Sequence, residues 1–412
     1  MNIDDIDLGD NTQSIPLENR KSISILLGAG FSVPMGYPTG NKMNNSLQNF
    51  DDENCSIEPY SGVLVTTIDD YSKPNFENTG CVKYFDLCKR LIKMYTEKHN
   101  EGFDYELFYD FIKGDEVKSE KYQSLFEGLI GETNSIENCL YQVSNIYNQM
   151  IAYLLKDKDN RTWYDDEPTK VDYYDVNYDS FIKYLSALSK EYIVNVHTLN
   201  HDLLFESFKN TTLIDSHNIS DGFEELGSKY YGKLNHKGRM YHCRLERYTG
   251  KYETPIRLYK LHGSLDYVHF HRNEELIMVP DDYVKIRYGI GYDKVMKENE
   301  DGTSYDEDLF ETHADFLTGT TSKMKRYKES FFKGLLERFE KNLQEAEKLI
   351  IVGYGCKDQG INDIIYENFN FTKKPSFIVD PFPQTTVNEF GKNIGSKFLK
   401  FGVDRLDFNL LK

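Results

Sequence analysis

The chain has 412 residues, 39% of them hydrophobic, enough for one large domain or two ordinary ones around a well-buried core. A formal net charge of -18 opposes phosphate backbones, so direct nucleic-acid binding is not expected. The acidic start MNIDDIDLGDN is unlike a secretory leader, and no apolar run approaches the roughly 18 residues that span a bilayer; a cytoplasmic protein without membrane attachment is predicted.

Residues 1–20 are polar and read as a mobile N-terminal arm. Ile23–Leu27 (ISILL) reads as a short buried strand that runs straight into Gly28–Ser32 (GAGFS), the mark of a strand-to-helix junction. Residues 45–80 read as loop. From Cys81 to Leu188 apolar residues recur at helical spacing, in three stretches: Val82, Phe85, Leu91 and Ile92; Ile136, Leu140, Val143, Tyr147, Ile151 and Leu154; Phe181, Tyr184, Leu185 and Leu188. These predict a helical insertion at about residues 75–190.

Strand patterns return at Tyr192–Val196, Ile256–Leu261 and Leu276–Val279. An amphipathic helix carrying Phe332, Leu335, Leu336, Phe339, Leu343 and Ala346 on one face leads into Leu349–Val352 and the turn GYGCKD. Ser376–Val379 then ends on Asp380. Short apolar strands alternating with helices predict an α/β fold: a Rossmann-like, mostly parallel sheet with helices on both faces and a large helical insertion. Ligands of such sheets sit outside the carboxyl ends of the strands, where Gly28, Thr198, His262, Gly353 and Asp380 all fall.

Gly28 and Gly30 permit a tight turn that a pyrophosphate can approach, with free N–H groups at the next helix start. Ser32 can cap that helix or bond a phosphate. Val33 and Pro34 stand where the usual dinucleotide fingerprint has its third glycine. After the next strand, Thr198, Asn200, His201 and Asp202 form a polar cluster suited to a ribose and an amide; Asn200 and Asp202 are also natural N-caps for a helix beginning at Leu203. His262 titrates near neutrality and is the natural proton acceptor, or else a satisfied structural histidine, and Gly263 lets another group approach closely. Gly353 and Gly355 make a second close-approach turn, and Asp358 can cap the helix beyond it. Asp380 can take ribose hydroxyls or simply form the turn before Pro381. The six cysteines include no CxxC pair and read as thiols in a reducing compartment. His236, His242 and Cys243 match no zinc spacing, so no metal is expected.

In this order, GAGFS, TLNHD, LHGS and GYGCKD resemble the phosphate turn, the T-x-N-x-D segment, the catalytic His-Gly segment and the later glycine turn of the sirtuin-like NAD-binding superfamily, over about residues 21–385. The resemblance implies a single catalytic domain over 21–412 that binds NAD as its substrate. Asn200 and His262 match the essential Asn and His. Gly28, Ala29, Gly30 and Ser32 match the phosphate turn, and Thr198 and Asp202 the segment that lines the nicotinamide–ribose pocket. Gly353, Tyr354 and Gly355 match the second turn. Asp380 is assigned to the same NAD site.

The stretch VPMGYPTG lacks the Phe-Arg pair of protein-deacylating sirtuins, and the four-cysteine zinc module is missing after His262. What remains is similar to the zinc-less NAD hydrolases of bacterial antiviral systems; YELFYDFI at Tyr105–Ile112 also resembles an element of that group. The resemblance therefore implies an NAD glycohydrolase that releases nicotinamide and ADP-ribose and acts in abortive infection. Its gating would come from a homo-oligomer or a partner: a HerA-like ATPase, an Argonaute-type protein or a phage-derived activator. Two other readings stay open, a non-enzymatic NAD or ADP-ribose sensor and a protein deacylase or ADP-ribosyltransferase.

Overall fold

A computed structural model describes residues 15–50, 55–57, 64–66, 82–99, 102–130, 135–159, 176–236, 238–274, 277–287, 289–307, 313–406 and 411. The first fourteen residues of the expected N-terminal arm, Cys81 and Leu276 lie outside them; Leu17–Asn19 forms a short 3-10 turn.

Ser22–Leu27 (β1) has no exposed residue on either side. Its side chains alternate: Ile23, Ile25 and Leu27 enter one core and Leu26 the other. A strand covered on both faces carries apolar side chains on each or small polar ones with partners, such as Ser24, whose hydroxyl donates to the Asn342 carbonyl. Around it lie Ile193–Thr198 (β2), Ile219–Ser220 (β3), Ile256–Lys260 (β4), Ala346–Val352 (β5), Ser376–Val379 (β6) and Lys397–Leu399 (β7). Their order is β7-β6-β5-β1-β2-β4-β3, and every pairing is parallel. The chain leaves β1 toward β2 and later returns to its other side at β5. This reversal makes a switch point, where the loops after β1, β2 and β5 part and leave a crevice.

The helices used below are Gly40–Gln48 (α1), Val82–Lys98 (α2), Tyr105–Lys113 (α3), Ile136–Leu154 (α4), Asp179–Glu191 (α5), Thr321–Arg326 (α6), Ser330–Glu345 (α7), Gln359–Asn368 (α8) and Thr385–Asn393 (α9). Phe332, Leu335, Leu336, Phe339 and Leu343 of α7 form the expected stripe and pack beneath β1 and β5. Each such burial is worth roughly 1.5–3 kcal/mol. Helices α1 to α4 bury Leu47, Phe85, Leu91, Phe108, Tyr147 and Ile151 in a core of their own, together with residues beyond β4 such as Leu265 and Phe316.

The structure departs from the sequence expectations in four places. The third helical stretch, now α5, belongs to the sheet and not to the insertion: Phe181, Ile182, Leu185 and Leu188 pack with Ile25 and Val196. The expected loop at 45–80 begins inside α1 and contains a strand pair, Cys55–Ile57 with Leu64–Thr66. The apolar run at Leu276–Val279 does not join the parallel sheet; Ile277–Lys285 pairs antiparallel with Tyr267–Glu274. That sheet and a second antiparallel one, built on Tyr230–His236 and Arg239–Arg244, went unpredicted because their strands carry polar residues on exposed faces.

Candidate functional site

Chain reversal after β1 and after β5 brings two glycine turns into direct contact. Gly28 N–H donates to Val352 O at 3.0 Å and Gly30 N–H to Gly353 O at 2.8 Å. A Cβ on Gly28 would lie 2.6 Å from the Tyr354 Cα, and one on Gly353 would lie 2.4 Å from the Phe31 nitrogen, at a φ of 61° that L residues avoid. Gly28 and Gly30 of GAGFS and Gly353 of GYGCKD are thus required first by each other. Two of the N–H groups expected to be free for an anion are spent on this contact, although Ala29 and Gly30 are exposed residues. Beyond Gly353, Cys356 holds a φ of 55°. Tyr354 is buried and donates its hydroxyl to Asn362 Oδ1 at 2.9 Å, so it supports the turn from behind. Gly355 is exposed, and its carbonyl accepts from Thr386 Oγ1 at the start of α9.

The segment after β2 is fastened to the first turn. Asn200 Nδ2 donates to Gly28 O and to Ser32 Oγ, each at 3.0 Å, and Asn200 N–H donates to Thr198 Oγ1 at 3.1 Å. Asn200 is therefore no helix cap. Nor does Asp202 take the N-cap position, which falls to Leu203 ahead of the short helix Leu204–Ser207; from just outside that helix its Oδ1 accepts from Leu204 N at 3.1 Å. Burial raises the Asp202 carboxyl, against the pull of the Lys260 ammonium and the Ser32 hydroxyl. Ser32 makes no capping bond; it is buried among Asn200 and Asp202. Beneath them Lys260 is 1% exposed and bonds both Asp202 O and Glu206.

His262 follows β4, the strand beside β2. Its ring centroid lies 6.4 Å from that of His201. Its Nε2 is 2.8 Å from Tyr327 Oη and 3.5 Å from Asp358 Oδ2. Burial, with the Lys323 ammonium and His201 close by, holds His262 well below the usual histidine range; the neutrality-range titration expected from sequence gives way to an imidazole that is neutral at rest. Gly263 is approached by the chain itself, through a bridge to Phe316. Asp358 caps α8 through Ile361 N–H, as expected, and also pairs with Lys323 Nζ at 3.2 Å. Asp380 closes a turn by accepting from Phe382 N–H at 2.8 Å.

The structure thus gathers Gly28, Ser32, Thr198, Asn200 and Asp202 in one hydrogen-bonded set. It joins Gly353 and Tyr354 to the first turn and puts His262 on the neighbouring strand end. Gly355 and Asp380 stand past the ends of β5 and β6, bonded instead to Thr386 and Phe382. Sequence reasoning missed Glu106, Lys323 and Tyr327; only the YELFYDFI resemblance touched one of them. A cleft of 540 Å³ lies elsewhere, between α1 and α2, lined by Leu47, Phe50, Lys89, Arg90, Ile92 and Lys93 among others. Among the described residues, no three His, Cys, Asp or Glu side chains are grouped to hold a metal ion, and no helix is long and apolar enough to cross a membrane.

No family model matches the chain, and no curated protein matches it in sequence. Solved structures similar to it include a Sir2 enzyme (10% identity, TM-score 0.34, covering 96% of this chain and 93% of that one). A Sir2 homologue–NAD complex is similar at 10% identity and a TM-score of 0.35, covering 96% and 90%. A complex of a mutant Sir2 homologue with ADP-ribose follows at 10% and 0.33, covering 98% and 95%.

Proposed function

We propose that this chain is an NAD glycohydrolase that cleaves the nicotinamide–ribose bond with water. The observation that carries the reading is the pair of hydrogen bonds from Asn200 to Gly28 and Ser32. They fix the matched Asn on the glycine turn at the sheet's switch point, one strand from a neutral, buried His262. In the reaction the C1′–N bond breaks and its electrons neutralise the pyridinium, so nicotinamide leaves uncharged. Water adds to the oxocarbenium-like carbon and gives its proton to the His262 imidazole. Asn200 orients ribose or water, and the loops carrying Ala29, Gly30, Gly353, Gly355 and Asp380 hold the rest of the dinucleotide.

Nicotinamide release from NAD tests this directly. Loss of about a hundredfold or more is expected in both Asn200→Ala and His262→Ala; full activity in both variants would refute the assignment. Unrestrained NAD loss would kill the host, so the reading includes gating by self-assembly or by a partner such as a HerA-like ATPase, an Argonaute-type protein or a phage component, in an abortive-infection role. Co-purification and size-exclusion chromatography, with NAD turnover measured across the fractions, test that part.

One observation favours a second reading. Nε2 of His262 is engaged by Tyr327 in a buried setting, which suits an NAD or ADP-ribose sensor that binds without turnover. Calorimetric binding with no nicotinamide released, in the presence of every candidate partner, would select it.

A further inference from the structure

Helix α3 of the helical module reaches the strand ends through Glu106. Its Oε1 lies 3.0 Å from Lys323 Nζ; the same ammonium lies 3.2 Å from Asp358 Oδ2, and that oxygen is 3.5 Å from His262 Nε2. Lys323 is 4% exposed, so its charge is not dispersed by water and has to be met by its neighbours. Asp358 alone would be consumed in meeting it. With Glu106 present, two carboxylates face one ammonium. Burial raises the Glu106 carboxyl against the pull of the Lys323 ammonium; with both carboxylates ionised, the cluster carries one net negative charge beside a neutral His262, and it becomes neutral when the imidazole takes up a proton.

We propose that Glu106 is a positioning residue for His262: it meets the Lys323 charge and leaves Asp358 free to face the imidazole as it becomes cationic. The inference rests on the proton-accepting role of His262 given above, and it makes the helical module part of the site. The charged and titratable groups facing His262 are His201 from the loop after β2, Lys323 and Tyr327 from α6 and its end, Asp358 from the turn before α8, and Glu106 from α3 behind Lys323. Removing one carboxylate makes a second buried cation harder to form. Removing the ammonium makes it easier.

Ring-labelled histidine NMR on the full chain reads this without any turnover. The His262 protonation midpoint should fall in Glu106→Gln and rise in Lys323→Met, each by about one pH unit. Opposite signs are not what general loosening of the fold produces. Where wild-type chain cleaves NAD, Glu106→Gln should lower kcat about tenfold with KM for NAD little changed, move the acid limb of the kcat profile to lower pH, and be partly rescued by Glu106→Asp. Midpoints that stay put, or that move in the same direction in both variants, overturn the proposal whether or not NAD is cleaved. Shifted midpoints in a chain that never cleaves NAD would uphold the cluster and dismiss the hydrolase reading.

Discussion

The side-chain amide of Asn200 donates to the Ser32 hydroxyl at 3.0 Å, across 168 residues of sequence. Because the same amide nitrogen also serves the Gly28 carbonyl, Asn200 is oriented before any ligand arrives. Asn200→Asp keeps the shape and removes both donors, and it sets a carboxylate against a carbonyl oxygen and a hydroxyl. The expected result is a stability loss of about 1–3 kcal/mol and nicotinamide release reduced about a hundredfold. Urea unfolding and the NAD assay on one preparation check both numbers. Unchanged unfolding would mean that these two bonds do not hold the loop.

The contact between the glycine turns makes a contrast inside one motif. Gly353 has a φ of 61° and would place a Cβ 2.4 Å from the Phe31 nitrogen, whereas a Cβ on Gly355 would meet nothing within 4 Å. Gly353→Ala should therefore cost about 2 kcal/mol or more, from left-handed strain and the displaced Phe31 backbone, while Gly355→Ala should unfold like wild type. If Gly355 lies against the dinucleotide, its alanine variant raises KM for NAD while stability is kept. Thermal unfolding of both variants decides the first part; equal melting temperatures would contradict it.

Residue types at the ends of buried strands made much of this site legible. Ile23–Leu27, Leu349–Val352 and Ser376–Val379 are mostly apolar because both of their faces are covered, and a polar or glycine residue soon after such a run has little reason to be there except to turn or to bind. That logic picked out Gly28, Asn200, His262 and Gly353. It failed on Glu106 and Lys323, which meet across 217 residues, because charged residues in a polar segment are normally solvated. It failed on α5 for a different reason: the 3.6-residue period of Phe181, Leu185 and Leu188 marks a buried face without saying what buries it. The antiparallel strands at Tyr230–His236 and Arg239–Arg244 carry no apolar run for the eye to find.

The segment before α6 is anchored by a buried ion pair with a defined acid response. Arg326 reaches both Asp315 oxygens, at 2.6 and 3.0 Å, and Tyr283 Oη donates to the same carboxylate at 2.6 Å. Burial pushes the Asp315 carboxyl up, but the Arg326 guanidinium and the Tyr283 hydroxyl outweigh it and bring the group down to about 2. A depressed carboxyl stabilises the fold above its unfolded value near 4, and that stability is lost as pH falls through about 2. Wild type should lose about 2 kcal/mol over this window that Asp315→Asn does not. Urea midpoints measured at pH 5 and pH 2.5 for both proteins test it, and parallel losses would rule out the assignment.

Asp110, one turn beyond Glu106 on α3, ties the helical module to the segment that carries Lys323 and Tyr327. Its carboxylate accepts from Thr320 N–H at 2.9 Å, Thr320 Oγ1 at 2.6 Å, Thr321 N–H at 2.7 Å and Ser322 N–H at 2.8 Å. It thereby supplies the N-terminal cap of α6 from another part of the chain. Asp110→Ala leaves those donors to solvent, so the cost should be about 1 kcal/mol. The larger effect should be local: faster amide exchange over 320–327 and weaker NAD turnover as Lys323 and Tyr327 lose their fixed relation to His262. Asp110→Asn keeps an acceptor oxygen and should fall between the two. Hydrogen exchange of Asp110→Ala against wild type checks this, and unchanged protection across 320–327 would show that α6 holds its place without the helical module.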